Sequence, residues 1–464
     1  MTPAGFEGFE RVLVIGLGRS GRASCAVLRA RGATVYAVDE KAPYELAQTR
    51  AEVEAAGARF VAPEDLEAVL RDVNVAVLSP GIPLNGSLVR RVQEAGVPVF
   101  SEIEVAYRIC HAPIVAVTGT KGKTTTTALI GAMFRRAGKT TWVGGNIGNA
   151  LIEQTAQAAP GDWVIAEVSS FQLESIRSFK PRISTILNIA PDHLDRYHSM
   201  DEYAEAKFRV FANQGPGDTF VGNFDDPIVG ELVPSDGAQS RVPARALWFA
   251  REPHLVTALY LRGDRITYAP PTGDPRPVDI LGLDEIRLVG AHNVANVMAA
   301  FLVGLAAGLD LEALRDAARE FEPLPHRLER VAELDGVTYV DDSKATNPSA
   351  VVAALHAIGQ PVVLIAGGKS KRTDFTDMGK AAARAKAVVL IGEAADEIAA
   401  ALPGTECTRA ASMDDAVRVA KALAGPGDIV LLSPGCASFD MFASAEARGD
   451  AFRDAVLGAL AGSR

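Results

Sequence analysis

The segment TGTKGKTTTT, Thr118 to Thr127, restricts the fold more than any other stretch of the chain. An apolar run, IVAV, precedes it, and ALIGAMFRRAG, which reads as a helix, follows. Strand, glycine turn, Lys-Thr and helix in that order form an α/β unit built to cradle phosphate. The standard spacing G-x-x-x-x-G-K-[ST] is not kept, because its first glycine would fall at residue 117, which is Val117. The loop is the shorter Gly119-Thr120-Lys121-Gly122-Lys123-Thr124. Its backbone N–H groups and the following helix N-terminus would converge on phosphate oxygens. Lys123 would neutralise β/γ charge and Thr124 would hold Mg²⁺. A ligand-free glycine turn is the alternative, but strand, lysine, hydroxyl and helix all fall where phosphate binding needs them.

With 464 residues, three domains are the natural expectation at about 150 residues each. Hydrophobic residues make up 48%, enough for sizeable cores. The formal charge of −10 argues against a nucleic-acid face, which would be basic, while leaving room for single loops that bind anions. The cysteines, Cys25, Cys110, Cys407 and Cys436, are scattered and suggest neither a disulfide framework nor a zinc site. The opening MTPAGFEGFE has no apolar region of a signal peptide, and no apolar run approaches the roughly 20 residues of a membrane helix. A soluble, cytoplasmic protein is expected.

The chain begins as βαβ: RVLVIGLG, an amphipathic RSGRASCAVLRARG closed by Gly32, then TVYAVDE. VNVAVLSPGIP is a further strand running into a loop, and a boundary is expected near residue 102. A second α/β unit opens at IVAVTG and continues through DWVIAEVSSFQLE and ISTILNIAPDHLDRY. From about residue 217 to 290 the texture changes. RALWFA, HLVTALYLRG and RITYAP read as antiparallel strands added to the edge of this unit. GAHNVANVMAAFLVGLAAG is a long helix, and FEPLPHRLERV a hinge. VTYVDDS, PVVLIAGG, AVVLIGE and DIVLLSPG then alternate with helices as a third parallel layer. The expected fold is α/β in three domains. Residues 1–102 are Rossmann-like, 103–322 are a P-loop ATPase-like parallel sheet with an antiparallel extension, and 323–464 are Rossmann-like.

Further motifs sit at strand ends, where open parallel sheets bind ligands. Gly16-Leu17-Gly18-Arg19-Ser20-Gly21 follows the first strand, and Asp39 ends the next, the setting of a dinucleotide fingerprint. Glu167 ends the strand of AEVSSFQLE, where a phosphate-loop protein holds its metal. In NIAPDHLDRYHSM, Asp192, His193, Asp195 and His198 crowd together, and His193, nearest the strand, is the best ligand or base. Lys207 in YAEAKFRVFAN carries no signal alone. In GAHNVANVM, His292, Asn293 and Asn296 read as helix caps or as an adenine-reading pair. Arg327 in PHRLE, the loop VDDSKATNP and the loop LLSPGCASFDMF complete the set.

Taken in order, GTKGKTTT, EVSSFQLE, NIAPDHLDRY, HNVANVMAA, PHRLE, DDSKATNP and LLSPGCASFDMF resemble the Mur ligases over essentially the whole chain. The DSKATN and SPGCASFD loops, with GLGRSG and SPGIP, resemble the D-glutamate-adding branch. The resemblance implies that the first domain binds a UDP-sugar substrate, the second ATP and the third the amino acid. The implied reaction is ATP-dependent amide formation through an acyl phosphate, adding D-glutamate to UDP-N-acetylmuramoyl-L-alanine.

The site residues carry over by position. The loop from Gly119 to Thr125, that is Gly119, Thr120, Lys121, Gly122, Lys123, Thr124 and Thr125, would hold ATP, together with Asn293, Asn296, Arg327, Asp342 and Lys344. Lys123, Glu167, His193 and Lys207 would be catalytic. Two Mg²⁺ ions would be held by Thr124 and Glu167 and by His193 and Lys207, with Lys207 carbamylated. Arg19, Ser20, Asp39, Glu40, Gly81, Asn146 and His193 would meet the UDP-substrate. Thr346, Lys371, Ser438 and Phe439 would form the D-glutamate pocket, with Lys369 the competitor of Lys371. Glu40 and Lys41 depart from the commonest Thr-Arg of the family, and Ala445 stands where a second aromatic is frequent. The expected partners are small molecules only, with neither nucleic acid nor membrane, and the expected state is a monomer. Other readings are a different amino-acid-adding Mur ligase, a dinucleotide-dependent oxidoreductase that would leave the phosphate loop idle, and a non-catalytic UDP-sugar binder.

Overall fold

The computed structural model describes residues 8–193, 196–235, 239–270, 276–288, 290–370, 373–402 and 404–461. The chain divides into two compact units, Met1–Ile286 with His292–Phe321, and Arg287–Ala291 with Glu322–Arg464.

The first unit contains two sheets. In the N-terminal one, β1 (Arg11–Ile15), β2 (Thr34–Val38), β3 (Arg59–Phe60), β4 (Val75–Leu78) and β5 (Val99–Ser101) lie in the order β3-β2-β1-β4-β5. All pairings are parallel. The central strands are near-continuous Val/Ile/Leu runs because both faces are covered. Since β2 and β4 flank β1, the connections diverge at its carboxyl end and leave a crevice there. Helix Arg19–Ala30 starts at that point. A Cβ on Gly21 would lie 1.9 Å from the Gly16 carbonyl oxygen, so the loop and helix close up only around a glycine.

The central sheet has nine strands: β6 (Ile114–Thr118), β7 (Thr141–Gly145), β8 (Trp163–Glu167), β9 (Ile183–Ile186), β10 (Thr219–Asn223), β11 (Arg245–Ala250), β12 (Thr257–Arg262), β13 (Arg265–Tyr268) and β14 (Val278–Gly282). Their order is β14-β13-β12-β11-β10-β9-β6-β8-β7. The expected antiparallel extension holds for β12 to β14. It fails for RALWFA: β11 pairs parallel with both β10 and β12. The long stretch from Phe224 to Ala244 allows the first crossover. The short link into β12 suffices because the register is staggered, with Trp248 opposite Thr257 and Ala250 opposite Tyr260. The link therefore runs back only about 7 Å, two residues of strand rise. At the outer edge, Arg315 of helix Leu311–Glu320 donates to the carbonyls of Asp279 and Ile280 on β14, at 2.9 and 2.6 Å.

One core cluster runs through both sheets of this unit, from Val12 and Val14 through Phe100, Ile103 and Phe179 to Phe220 and Trp248. Helix Glu102–Ile109 carries two buried acids at this junction. The Glu104 carboxylate accepts the N–H groups of Arg177, Ser178 and Phe179 and the Arg108 guanidinium. Burial alone would raise its pKa, but these donors bring it below the ordinary value. Glu102 accepts the N–H of Ile152 at 2.7 Å.

The second unit holds β15 (Glu329–Leu334), β16 (Val337–Asp341), β17 (Val362–Gly367), β18 (Ala387–Ile391), β19 (Cys407–Arg409) and β20 (Ile429–Leu432), in the order β15-β16-β20-β17-β18-β19. The four expected strands are parallel. Two edge strands are additional, and β15 is antiparallel to β16 through the two-residue turn Asp335–Gly336. Both turn residues have positive φ, 53° and 79°, as a tight hairpin requires. Apolar clusters cover both faces of the sheet. Among the described residues, no helix is long and apolar enough to cross a membrane.

Candidate active site

Strand β6 lies between β8 and β9 in the central sheet, so the loop after Thr118 leaves at a point where connections diverge. Helix Lys123–Arg136 begins at once, capped by Gly122 with φ 82°. A side chain there would be strained, and its Cβ would lie 2.3 Å from Asn296 Oδ1. Asn296 is buried and donates to Asn293 Oδ1 at 3.0 Å, so the asparagine pair of helix Ala291–Ala306 abuts the loop. His292, at that helix start, has its pKa lowered by burial and by Lys121.

The loop is pinned from the strand next to it. Thr120 donates its N–H to the Asn188 carbonyl, and Asn188 bonds both the N–H and the carbonyl of Lys121 through its side-chain amide. Lys123 Nζ folds back to the carbonyls of Gly119 and Thr120 at 2.9 and 2.8 Å. Lys207 Nζ reaches the same Gly119 carbonyl at 2.9 Å. Two lysine amines thus converge on one loop oxygen. Lys207 is only 1% exposed. Its pKa falls well below the ordinary lysine value, chiefly through burial and then through Lys123, with Asp192 and Glu167 opposing.

Glu167 ends β8 opposite Val117 and is buried. Asn146 donates to its Oε1 at 2.9 Å. Among the described residues no hydrogen-bond donor reaches its buried Oε2. A buried carboxylate oxygen without a partner beside a phosphate loop suits a divalent cation, and Thr124 stands in the first turn of the adjoining helix. His193 is half exposed, with φ 55°, a region few non-glycine residues occupy. Its ring forms T-shaped pairs with Phe171 and Tyr203, with centroids 4.7 and 6.4 Å apart. Tyr203 in turn contacts the Thr120 hydroxyl at 3.3 Å, and its ring lies 4.5 Å from Lys207 Nζ. The structure therefore brings the loop, His193 and Lys207 around one tyrosine. Asp195 lies outside the described residues.

At the N-terminal sheet, Asp39 accepts the N–H of Leu17 at 2.6 Å and of Lys41 at 3.0 Å, bracing the glycine loop. Glu40 accepts from the Ser87 hydroxyl at 2.5 Å and from Leu88 N–H, and so caps helix Ser87–Glu94. Arg19 and Gly81 are exposed beside the crevice loops, while Ser20 is buried. Asn146 lies beside Glu167 rather than among these residues.

In the second unit, Arg327 sits in a turn between His326 and Leu328, whose φ values are 60° and 49°. His326 Nδ1 lies 2.7 Å from Asp341 Oδ2, and Glu329 accepts the His326 N–H and an Arg453 N–H. These three acid and imidazole groups lie close enough together for a metal, yet each already has a partner. Asp342 is buried, which pushes its pKa up to about 7 against the pull of Ser433 and Arg327. Lys344 pairs with Glu446, and its carbonyl accepts the Thr346 N–H. Ser438 is buried and Phe439 is exposed. Lys371 lies outside the described residues. Its competitor Lys369 donates its backbone N–H to Ala437.

Sequence reasoning missed Asn188, Tyr203 and Arg448. The last is fully buried and donates to the Ser343 hydroxyl and carbonyl and to the carbonyls of Cys436 and Ala437. It ties the VDDSKATNP and LLSPGCASFDMF loops together. The Ala445 carbonyl accepts the Ser343 hydroxyl, so that departure from the family pattern is used through its backbone.

The family model of the Mur ligase MurD-like N-terminal domain matches residues 10–101. The model of the Mur ligase middle domain matches 117–304, and that of the Mur ligase glutamate ligase domain matches 326–436. The chain is 44% identical to the UDP-N-acetylmuramoylalanine–D-glutamate ligase of Pelotomaculum thermopropionicum, covering 97% of both chains. It is 41% identical to the protein of that name from Koribacter versatilis, covering 96% of this chain and 97% of that one. Among solved structures, its fold is similar to the UDP-N-acetylmuramate-alanine ligase of Thermotoga maritima, with a TM-score of 0.60 and 18% identity over 98% of this chain and 100% of that one. It is also similar to a pseudomurein peptide ligase type C of Methanothermus fervidus, with a TM-score of 0.60 and 16% identity over 97% of this chain and 100% of that one.

Proposed function

The chain belongs to the Mur ligase family, and from that premise we propose that it is the ATP-dependent ligase that adds D-glutamate to UDP-N-acetylmuramoyl-L-alanine in peptidoglycan precursor synthesis. The observation that carries this reading is the full-length likeness to ligases of that name at 44% and 41% identity.

The L-alanyl carboxylate attacks the γ-phosphorus of ATP, the bond to the bridging oxygen breaks, and ADP leaves. The D-glutamate amine then attacks the acyl carbon, loses a proton, and phosphate leaves. Both steps gather anions, so positive charge held in place by the protein lowers the barrier. Lys123 exchanges its contacts to the Gly119 and Thr120 carbonyls for phosphate oxygens of ATP. The N–H groups of the Gly119–Thr125 loop bind the same oxygens. Asn293 and Asn296 take the adenine side. Two Mg²⁺ ions, one held by Thr124 and Glu167 and one by His193 and Lys207, would supply further neutralisation of phosphate charge.

A lysine suits that place only as an anion. Burial and then the neighbouring Lys123 hold the Lys207 pKa well below the ordinary lysine value, and the neutral form of an amine adds to carbon dioxide, releasing one proton and leaving a carbamate. We assign the UDP-substrate to Arg19, Ser20, Asp39, Glu40 and Gly81 in the region 1–102, and to Asn146 and His193 after it. We assign further ATP contacts to Arg327, Asp342 and Lys344, and D-glutamate to Thr346, Lys371, Ser438 and Phe439. The protein is placed in the cytoplasm, as a monomer acting on small molecules.

Phosphate release with ATP, the UDP-substrate and a panel of amino acids tests the reading. D-glutamate should support turnover. Efficient use of L-lysine or diaminopimelate in its place would overturn the choice of acceptor.

A further inference from the structure

Strand β8 is followed by a segment that ends in Glu174, directly after the one-turn helix Ser170–Leu173. Its carboxylate gives one oxygen to each of two neighbours: Arg196 donates to Oε2 at 2.5 Å, and the Tyr197 hydroxyl donates to Oε1 at 2.5 Å. Glu174 and Arg196 are 15% and 19% exposed, so water screens this pair far less than a surface ion pair. The Arg196 guanidinium lies 4.0 Å over the Phe171 ring, and Tyr197 stacks on the same ring at 6.0 Å. Phe171 and the His193 imidazole form a T-shaped pair with ring centroids 4.7 Å apart. The backbone N–H groups of Arg196 and Tyr197 also donate to the His193 carbonyl. His193 has a left-handed backbone, which persists only where the surroundings enforce it.

We propose that Glu174 is a positioning residue for His193: it clamps Arg196 and Tyr197, which hold both the His193 carbonyl and the Phe171 ring against which its imidazole rests. The clamp belongs to the same short segment that carries Glu167, so one stretch, Glu167 to Glu174, sets the placement of two residues assigned to metal. The inference rests on the ligase reading given above.

The test uses the full chain with Glu174→Gln, which keeps the shape and removes the charge, together with Tyr197→Phe and the double variant. A misplaced His193 should lower kcat by about 10- to 100-fold and raise the KM for the UDP-substrate, which His193 also meets, with little change in KM for ATP. Mn²⁺, added with ADP and followed by the EPR signal of the free ion, should bind more weakly to Glu174→Gln than to the unaltered protein. Tyr197→Phe should show a smaller loss of the same kind. The double variant should be no worse than Glu174→Gln, because both act through one carboxylate. Unchanged kcat and Mn²⁺ binding in a variant with an unaltered melting curve would overturn the proposal, as would additive losses in the double variant. Should Glu174→Gln not fold, unchanged kcat in Tyr197→Phe overturns it. An unaltered protein without D-glutamate-dependent phosphate release would refute the ligase reading instead, while the Mn²⁺ comparison would still decide the role of Glu174.

Discussion

Lys207 shows how one residue acquires a chemistry that its type does not announce. It stands beside Tyr203, Lys123 and the Gly119 carbonyl, with a burial that lowers its pKa well below the ordinary lysine value. Lys207→Ala should be inactive and partly restored by acetate, and the unaltered enzyme should lose activity in buffer depleted of carbon dioxide. Full activity there, with an unmodified lysine by mass analysis, would dismiss the carbamate. Glu102 makes a second case. Burial pushes its carboxyl up to about 7, against the opposing pull of the Ile152 N–H. A carboxyl that protonates near pH 7 when folded and near pH 4 when unfolded contributes stability that is complete below about pH 4 and lost as pH rises through about 7. The loss approaches about 3 kcal/mol. Glu102→Gln mimics the protonated form and should therefore raise stability to denaturant at about pH 8, with much less gain at about pH 5. Equal effects at both would show that Glu102 does not titrate in this range. The loop lysine and Glu167 were legible in the sequence because each sits within a local pattern of strand and turn. Asn188, Tyr203 and Glu174 were not, because their partners are distant in sequence and no local spacing records the contact.

At the scale of elements, the strands with long β-branched runs were readable and the edge strands were not. β15 lies directly after the proline-rich hinge, and its one local mark in the sequence is the Asp-Gly of ELDGVTYV, the signal of a tight hairpin. β19 is three residues long and has no periodicity to find. RALWFA was read as antiparallel because short strands separated by turns usually are, and its staggered register leaves no mark in the sequence. Helix Ala445–Ala461 carries Arg448, whose partners lie on two loops and leave no local mark in the sequence. That guanidinium gathers two loops by donating to oxygens of Ser343, Cys436 and Ala437, and burial lowers its pKa to about 10, so it stays charged. Arg448→Met removes these donors, leaving the Ala437 carbonyl only its bond from the Lys369 N–H, and should destabilise the second unit by about 3 kcal/mol or more in urea unfolding. It should also raise the KM for D-glutamate. A change below about 1 kcal/mol would mean that other donors or water replace the guanidinium.

For the molecule as a whole, stability follows its cores more closely than its sheets. The N-terminal and central sheets share one apolar cluster, and Glu104 ties the helix between them to three consecutive backbone N–H groups. The second unit has clusters of its own. Calorimetry should accordingly resolve no more than two transitions, one for each unit, and a separate transition for the first hundred residues would contradict the shared core. The nine-stranded sheet has one further consequence, for life in a crowded solution. A strand at a sheet margin offers rows of unused acceptors on which a foreign chain can template itself. At β14 the carbonyls of Asp279 and Ile280 are already taken by Arg315, and the Asp279 carboxylate is paired with Arg262 and Arg265 of the neighbouring strands. An intruding strand would find its places occupied, so the sheet can be this wide without seeding fibrils from its outer margin.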